Sequence, residues 1–194
     1  DGRIRPVRLE ENIGAARTRN EGIRLARGRY LAFLDSDDLW KKTKLEKELA
    51  FLKERQAAFA FTAYEFGDEN GIGNGKIVRV PQTLSYKEAL SRTIIFTTTV
   101  MFDLEKIDRS LIFMPDVKSE DTATWWRILR AGYTAYGLNE NRAVDRRPKN
   151  SLSSNKLEAV RRIWNLYRKQ EGLSAPVSAY YQFFWALRAT VRRL

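Results

Sequence analysis

Five carboxylates at two places in the chain have the types and spacing to do chemistry. Asp35, Asp37 and Asp38, with Ser36 among them, directly follow the apolar run Tyr30-Leu31-Ala32-Phe33-Leu34. Glu120 and Asp121 stand before a helical pattern carrying Trp125, Trp126, Ile128 and Leu129. Three like charges this close raise one another's pKa values and cost stability unless a cation or hydrogen-bond donors neutralise them. Oxygen ligands of this kind suit Mg2+ or Mn2+, which in turn bridge the oxygens of a diphosphate. One Asp would suffice as an N-cap for the following helix, and three exceed what capping needs. The Glu120-Asp121 pair fits two roles, an acidic first turn at the positive end of a helix and a general base.

Composition narrows the chemistry further. The 194 residues include no Cys and no His. That excludes a disulfide framework, a thiol nucleophile, an imidazole base and His- or Cys-ligated zinc. A hydrophobic content of 43% argues for a folded core rather than a disordered chain. No run of about 18 uncharged apolar residues occurs, and the opening Asp-Gly-Arg is not a basic-then-apolar leader, so neither a membrane span nor a signal peptide is expected. The lack of Cys fits a reducing cytoplasm. The formal net charge is +11, and residues 141–194 hold 12 Lys and Arg against 3 Asp and Glu, so most of the excess is C-terminal. Such a tail suits a polyanion or an anionic membrane surface. A nucleic-acid-binding protein would use the charge but leave the acidic cluster unexplained.

The elements that must position these groups alternate. Ile4 to Leu9 reads as a short extended run. Ile13, Ala16, Asn20, Ile23 and Ala26 recur at helical spacing, and Gly28 stops the pattern. Tyr30 to Leu34 reads as a strand buried on both faces, as in a parallel sheet. Lys42 to Gln56 is an amphipathic helix on Leu45, Leu49 and Leu52, and Ala58 to Tyr64 is a strand. Gly67 to Gly75 reads as an exposed loop or hairpin tip. Thr97 to Phe102 is a β-branched strand, Asp121 to Ala131 a helix, and Thr134 to Tyr136 and Ala143 to Arg146 short strands. Two helices, Lys156 to Gln170 and Val177 to Leu194, close the chain. Trp40, Trp125 and Trp126 are expected in packing roles rather than as ligand-stacking platforms. The alternation is an α/β signature.

The stretches Asn12-Ile-Gly14, Arg19-Asn20-Glu-Gly22, Ala26-Arg-Gly28-Arg-Tyr30 and Phe33-Leu34-Asp35-Ser36-Asp37-Asp38-Leu-Trp40 together resemble the central block of family-2 glycosyltransferases of the GT-A fold. The resemblance implies an α/β, Rossmann-like mixed sheet flanked by helices, followed by C-terminal helices. It implies a metal ion, Mn2+ or Mg2+, held by Asp37 and Asp35. It also implies donor contacts from Asp35, Arg19 and Asp38, with Asn12 and Gly14 forming the turn that starts Arg19's helix. Glu120-Asp121, followed by Trp125, Arg127 and Gly132, resembles the family's Glu-Asp motif, which implies Asp121 as catalytic base and Glu120 as a contact to acceptor or sugar hydroxyls. The implied activity is inverting transfer from a nucleotide sugar, UDP-linked, to a polysaccharide or lipid-linked acceptor, without nucleic acid. The expected location is cytoplasmic, peripheral on the inner face of the membrane, and the aromatic, basic C-terminal helices fit either of two roles, lying at an anionic membrane surface or packing on the domain.

Two departures qualify the resemblance. The match starts at the family's third strand, so the nucleoside-binding start is expected to be missing, with residues 1–150 a partial catalytic domain and 151–194 basic amphipathic helices. A catalytically incomplete nucleotide-sugar or glycan-binding remnant is the alternative. Around Arg146-Arg147-Pro148-Lys149-Asn150-Ser151, relatives often carry a metal-binding His, and here none exists. The Gln-x-x-Arg-Trp motif of processive synthases is also absent, which favours transfer of single sugars.

Overall fold

The computed structural model describes residues 1–146 and 156–191. Helix α1 (Gly14–Leu25) leads to β1 (Tyr30–Ala32) and β2 (Leu39–Trp40), then α2 (Lys44–Glu54), β3 (Phe59–Gly67), β4 (Gly73–Val78), β5 (Thr83–Leu84) and α3 (Tyr86–Leu90). A 3-10 turn at Thr97–Thr99 precedes β6 (Val100–Asp103), followed by α4 (Glu120–Arg130), β7 (Ala135–Arg146), α5 (Lys156–Asn165) and α6 (Ala175–Val191). The strands form one mixed sheet in the order β1-β6-β3-β7-β2, with β4 on β3 and β5 on β7.

The long central strand β3 is buried along almost all of its length because the sheet is covered on both faces. On one side Phe59 and Phe102 pack against Trp125 of α4, with ring centroids 5.7 and 5.8 Å from the indole. On the other, Ala60 and Met101 meet Leu52 of α2. Trp126 stacks on Tyr167 at 5.0 Å, tying α4 to the π-helical turn Leu166–Gln170 that ends α5. Trp125 and Trp126 are thus core residues, as expected. The described part of the last helix joins the same core through Trp185.

Several elements depart from the sequence reading. Residues 4–9 pair with no strand among the described residues, and Ile4 and Val7 are exposed. Strand β1 is antiparallel to β6, with Leu31 opposite Phe102, and its burial alternates; the apolar run reflects one covered face plus loop residues, not a parallel interior strand. The parallel pair is β3 with β7. The two short strands expected at 134–136 and 143–146 are the paired halves of β7. Between them the register slips, so that Thr62 faces Leu138 but Ala63 faces Asn141. In α2, Leu45 is exposed while Lys44 and Glu48 are fully buried, their Nζ and Oε2 2.8 Å apart and Lys44 lying over the Trp40 ring. The Gly67–Gly75 stretch is the tip joining β3 to β4.

Candidate active site

The acidic cluster is a tight turn beyond β1, closed by the Asp38 amide donating to the Asp35 carbonyl at 3.0 Å. Its three carboxylates diverge. Asp35 faces α1, Asp37 is exposed, and Asp38 is turned inward and only 7% exposed. The buried Thr98 hydroxyl donates to Asp38 Oδ2 at 2.6 Å and accepts from the Asp35 amide at 3.4 Å. Burial, joined by the charges of Asp145 and Asp37 and opposed by the Thr98 bond, pushes the Asp38 carboxyl up to about 7. From the end of β7, Arg146 wraps the turn: its amide meets Asp38 Oδ1 at 3.3 Å, and its guanidinium donates to the carbonyls of Asp37 and Ser36. Donors therefore supply part of the neutralisation that the clustered charges demand. The Arg147–Ser151 stretch, where relatives often carry a His, lies outside the described residues.

Arg19 joins the two carboxylate motifs. Its Nη2 donates to both oxygens of Asp35, at 2.9 and 2.8 Å, and its Nη1 donates to Glu120 Oε1 at 2.7 Å. The guanidinium is mostly buried. That burial alone would lower its pKa, but Asp35, Glu120 and Asp121 outweigh it and raise the value above the usual range. Three local features place these groups. Asn12 Oδ1 accepts from the Gly14 amide at 3.0 Å, and Gly14 takes φ +81°, which lets the chain turn into α1. The Asn20 side chain exchanges two hydrogen bonds with the Met114 backbone, at 2.8 and 2.7 Å, fixing the loop that leads to α4. Ser119 sits in the left-handed region at φ 62°, a strained conformation for a non-glycine residue, immediately before Glu120.

Asp121 opens onto a cleft of about 290 Å3 whose walls include Tyr64, Phe96, Ser119, Asp145 and Arg162. Its Oδ2 accepts from the Thr97 hydroxyl at 3.3 Å, and its Oδ1 from the Thr122 amide at 2.6 Å. Trp40 packs beneath the site and donates from Nε1 to the Thr98 carbonyl at 2.7 Å. Thr97 and Thr98 were not singled out as site residues by the motifs. The triplet Thr97–Thr99 reads as β-branched strand by propensity, yet it forms a 3-10 turn whose hydroxyls serve both acidic motifs. Among the described residues no three His, Cys, Asp or Glu gather into a closed metal cage. The exposed Asp37 next to Asp35 instead offers hard oxygens of the kind that hold Mg2+ or Mn2+ together with phosphate oxygens and water.

A model of the family described as Glycosyl transferase family 2 matches residues 1–108. The putative teichuronic acid biosynthesis glycosyltransferase TuaG of Bacillus subtilis (strain 168) is 45% identical over 195 residues, covering 100% of this chain and 77% of that protein. The Escherichia coli UDP-Glc:alpha-D-GlcNAc-diphosphoundecaprenol beta-1,3-glucosyltransferase WfgD is 34% identical over 170 residues, 86% of this chain and 64% of its own length. Among solved structures, the mannosyltransferase PcManGT from Pyrobaculum calidifontis with GDP-Man and Mn2+ matches at TM-score 0.64 and 20% identity, over 92% of this chain and 51% of that one. S. aureus TarS with UDP-GlcNAc matches at TM-score 0.57 and 16% identity, over 89% and 52%. The chain thus spans about half the length of these solved chains. The curled mixed sheet flanked by helices is the GT-A fold.

Proposed function

We propose, since the chain belongs to glycosyl transferase family 2, that it transfers single sugars with inversion from a UDP-linked donor to the hydroxyl of a lipid-diphosphate-linked or polysaccharide acceptor. The observation that carries the reading is the Arg19 guanidinium, which holds the donor-side Asp35 and the acceptor-side Glu120 against one another. Groups for both halves of the reaction then lie side by side.

Asp121 takes the proton from the acceptor hydroxyl as that oxygen bonds to the anomeric carbon and the bond to the nucleoside diphosphate breaks. Its Thr97 partner orients the carboxylate for that transfer. Asp37 and Asp35 would hold Mn2+ or Mg2+, which when bound stabilises the charge of the leaving diphosphate. Arg19 and Asp38 lie beside that position, Arg19 offering a guanidinium to phosphate oxygens. Glu120 contacts sugar hydroxyls from the start of α4. The names of relatives support the substrate classes: WfgD acts from UDP-Glc on a diphosphoundecaprenol-linked sugar, and PcManGT was solved with Mn2+. A lipid-linked acceptor places the work at the inner face of the cytoplasmic membrane. Among the described residues no helix is long and apolar enough to cross a membrane.

Titrating the full-length protein with UDP-sugar, with and without Mn2+, tests the reading. Metal-dependent binding is expected, with Asp121→Asn retaining UDP binding but losing turnover and Asp37→Ala losing metal-dependent binding. Absence of metal-dependent binding, or equal loss of donor affinity in both variants, contradicts it.

A further inference from the structure

We infer that a second groove, between the β4 edge and α6, binds the diphosphate and the first lipid units of the acceptor and presents the attached sugar to Asp121. This rests on the acceptor class proposed above. The groove has a volume of about 530 Å3, within the ~300–1,000 Å3 typical of ligand sites. Its apolar walls include Ile77, Val78, Ile94, Trp185 and Leu187. Lys76, Arg79, Arg92 and Arg188 also line it, and among the described residues no carboxylate does. An apolar trough with cations and no acid is complementary to a molecule that is greasy along its length and carries a compact anion. A diphosphate on a polyprenyl chain has that form, whereas nucleic acid would need stacking surfaces or a continuous basic track.

The groove adjoins the cleft of Asp121. Thr93 and Trp185 line both, and the Trp185 Nε1 donates to the Thr93 hydroxyl at 2.9 Å, fixing the indole between them. Arg188 is committed to the Ser91 carbonyl and hydroxyl, so it holds the wall in place. Lys76, Arg79 and Arg92 make no salt bridge among the described residues and remain to meet a diphosphate. On the cleft side, Arg162 Nε is buried without a hydrogen-bond partner, a further donor on the path to Asp121. Outward, Val177, Tyr180, Phe183 and Leu187 form an exposed apolar stripe along α6, and Leu187 belongs to both stripe and groove. A lipid tail leaving the groove therefore runs onto the helix face best suited to lie at a bilayer surface. The donor's own diphosphate, at the Asp35–Asp38 turn, is a different site.

The test is binding of farnesyl diphosphate, a soluble short polyprenyl diphosphate, to the full-length protein and to its Arg79→Ala/Arg92→Ala variant, with farnesol, inorganic diphosphate and UDP-sugar as parallel ligands. Each lost charge-assisted contact should weaken binding roughly tenfold, so the variant should bind farnesyl diphosphate at least tenfold more weakly while its UDP-sugar affinity is unchanged. Farnesol and inorganic diphosphate should each bind the unmodified protein more weakly than farnesyl diphosphate. Equal farnesyl diphosphate binding by the variant, or equal binding of inorganic diphosphate, overturns the groove assignment and leaves the glycosyl-transfer reading standing. Failure of the unmodified protein to bind UDP-sugar overturns both.

Discussion

Arg19 and Glu120 should be energetically coupled although they lie 101 residues apart in sequence. Both side chains are mostly enclosed, at 18% and 17% exposure, and the Nη1–Oε1 contact is 2.7 Å. Arg19→Met removes this contact and the fork on Asp35, leaving two carboxylates without their cation. Losing one member of a buried ion pair costs about 3–5 kcal/mol, and the residual solvent access puts the expectation at the lower end, about 3 kcal/mol. For a domain of this size that lowers Tm by roughly 6–12 °C. Glu120→Ala alone should cost about 1–2 kcal/mol, because Arg19 retains Asp35. Urea unfolding of the two single variants, the double variant and the parent closes a double-mutant cycle. A coupling of about 1–3 kcal/mol is expected for groups in direct contact. A coupling within about 0.5 kcal/mol of zero is what independent sites show, and it would refute the claim that one guanidinium joins the two motifs.

Thr98→Val keeps the side-chain shape but strands the buried Asp38 carboxyl, so urea unfolding should show a loss of about 1–3 kcal/mol; unchanged stability would mean the hydroxyl is dispensable. Gly137→Ala should destabilise by about 1–3 kcal/mol, because a Cβ there would lie 2.0 Å from the Pro81 carbonyl oxygen, a backbone atom that cannot swing aside; a midpoint equal to that of the parent contradicts this. Lys44→Met alone leaves Glu48 buried without its cation and should cost about 3–5 kcal/mol, whereas Lys44→Met/Glu48→Leu should be neutral or stabilising. Burial, opposed by Lys44, raises Glu48 from 4.5 to about 7. A folded-state pKa above the unfolded one gives stability that is complete below about 4.5 and lost as pH rises through about 7. Asp38, also raised to about 7, contributes a decline over the same window in both proteins, so thermal melts should show a steeper decline in the parent than in the double variant.

Much of the site was legible as local pattern. The Asp35–Asp38 turn, the Asn12-Gly14 helix start and the Glu120-Asp121 helix start are each made of residues adjacent in the chain, and the turn's Asp38–Asp35 backbone bond and the Asn12 and Asp121 side-chain bonds to the Gly14 and Thr122 amides are local. Trp125 and Trp126 were legible as core from their place on an apolar helix. The Thr97–Thr99 run was misread because propensity records only that β-branched residues fit a pleated surface, and the same hydroxyls serve equally well as donors from a 3-10 turn. Lys44 and Glu48 broke the amphipathic count of α2, since each charge lies in the interior only because the other, one helical turn away, is there too.

What the sequence by itself determined was the chemistry available: no imidazole or thiol, carboxylates at two places, and a basic C-terminal end. Composition and short spacing decide those matters without reference to the rest of the chain. Only the tertiary structure decided that the two places lie against one another, joined through Arg19. That depends on the sheet order β1-β6-β3-β7-β2, which brings the Thr97–Thr99 turn before β6 beneath the acidic turn after β1, and on the Asn20–Met114 clamp that sets α4 against α1. Contacts between residues about 60 to 100 positions apart, such as Thr98 with Asp38 and Arg19 with Glu120, leave no periodic trace in the sequence. They exist because packing the two faces of one sheet leaves those side chains no other place to go.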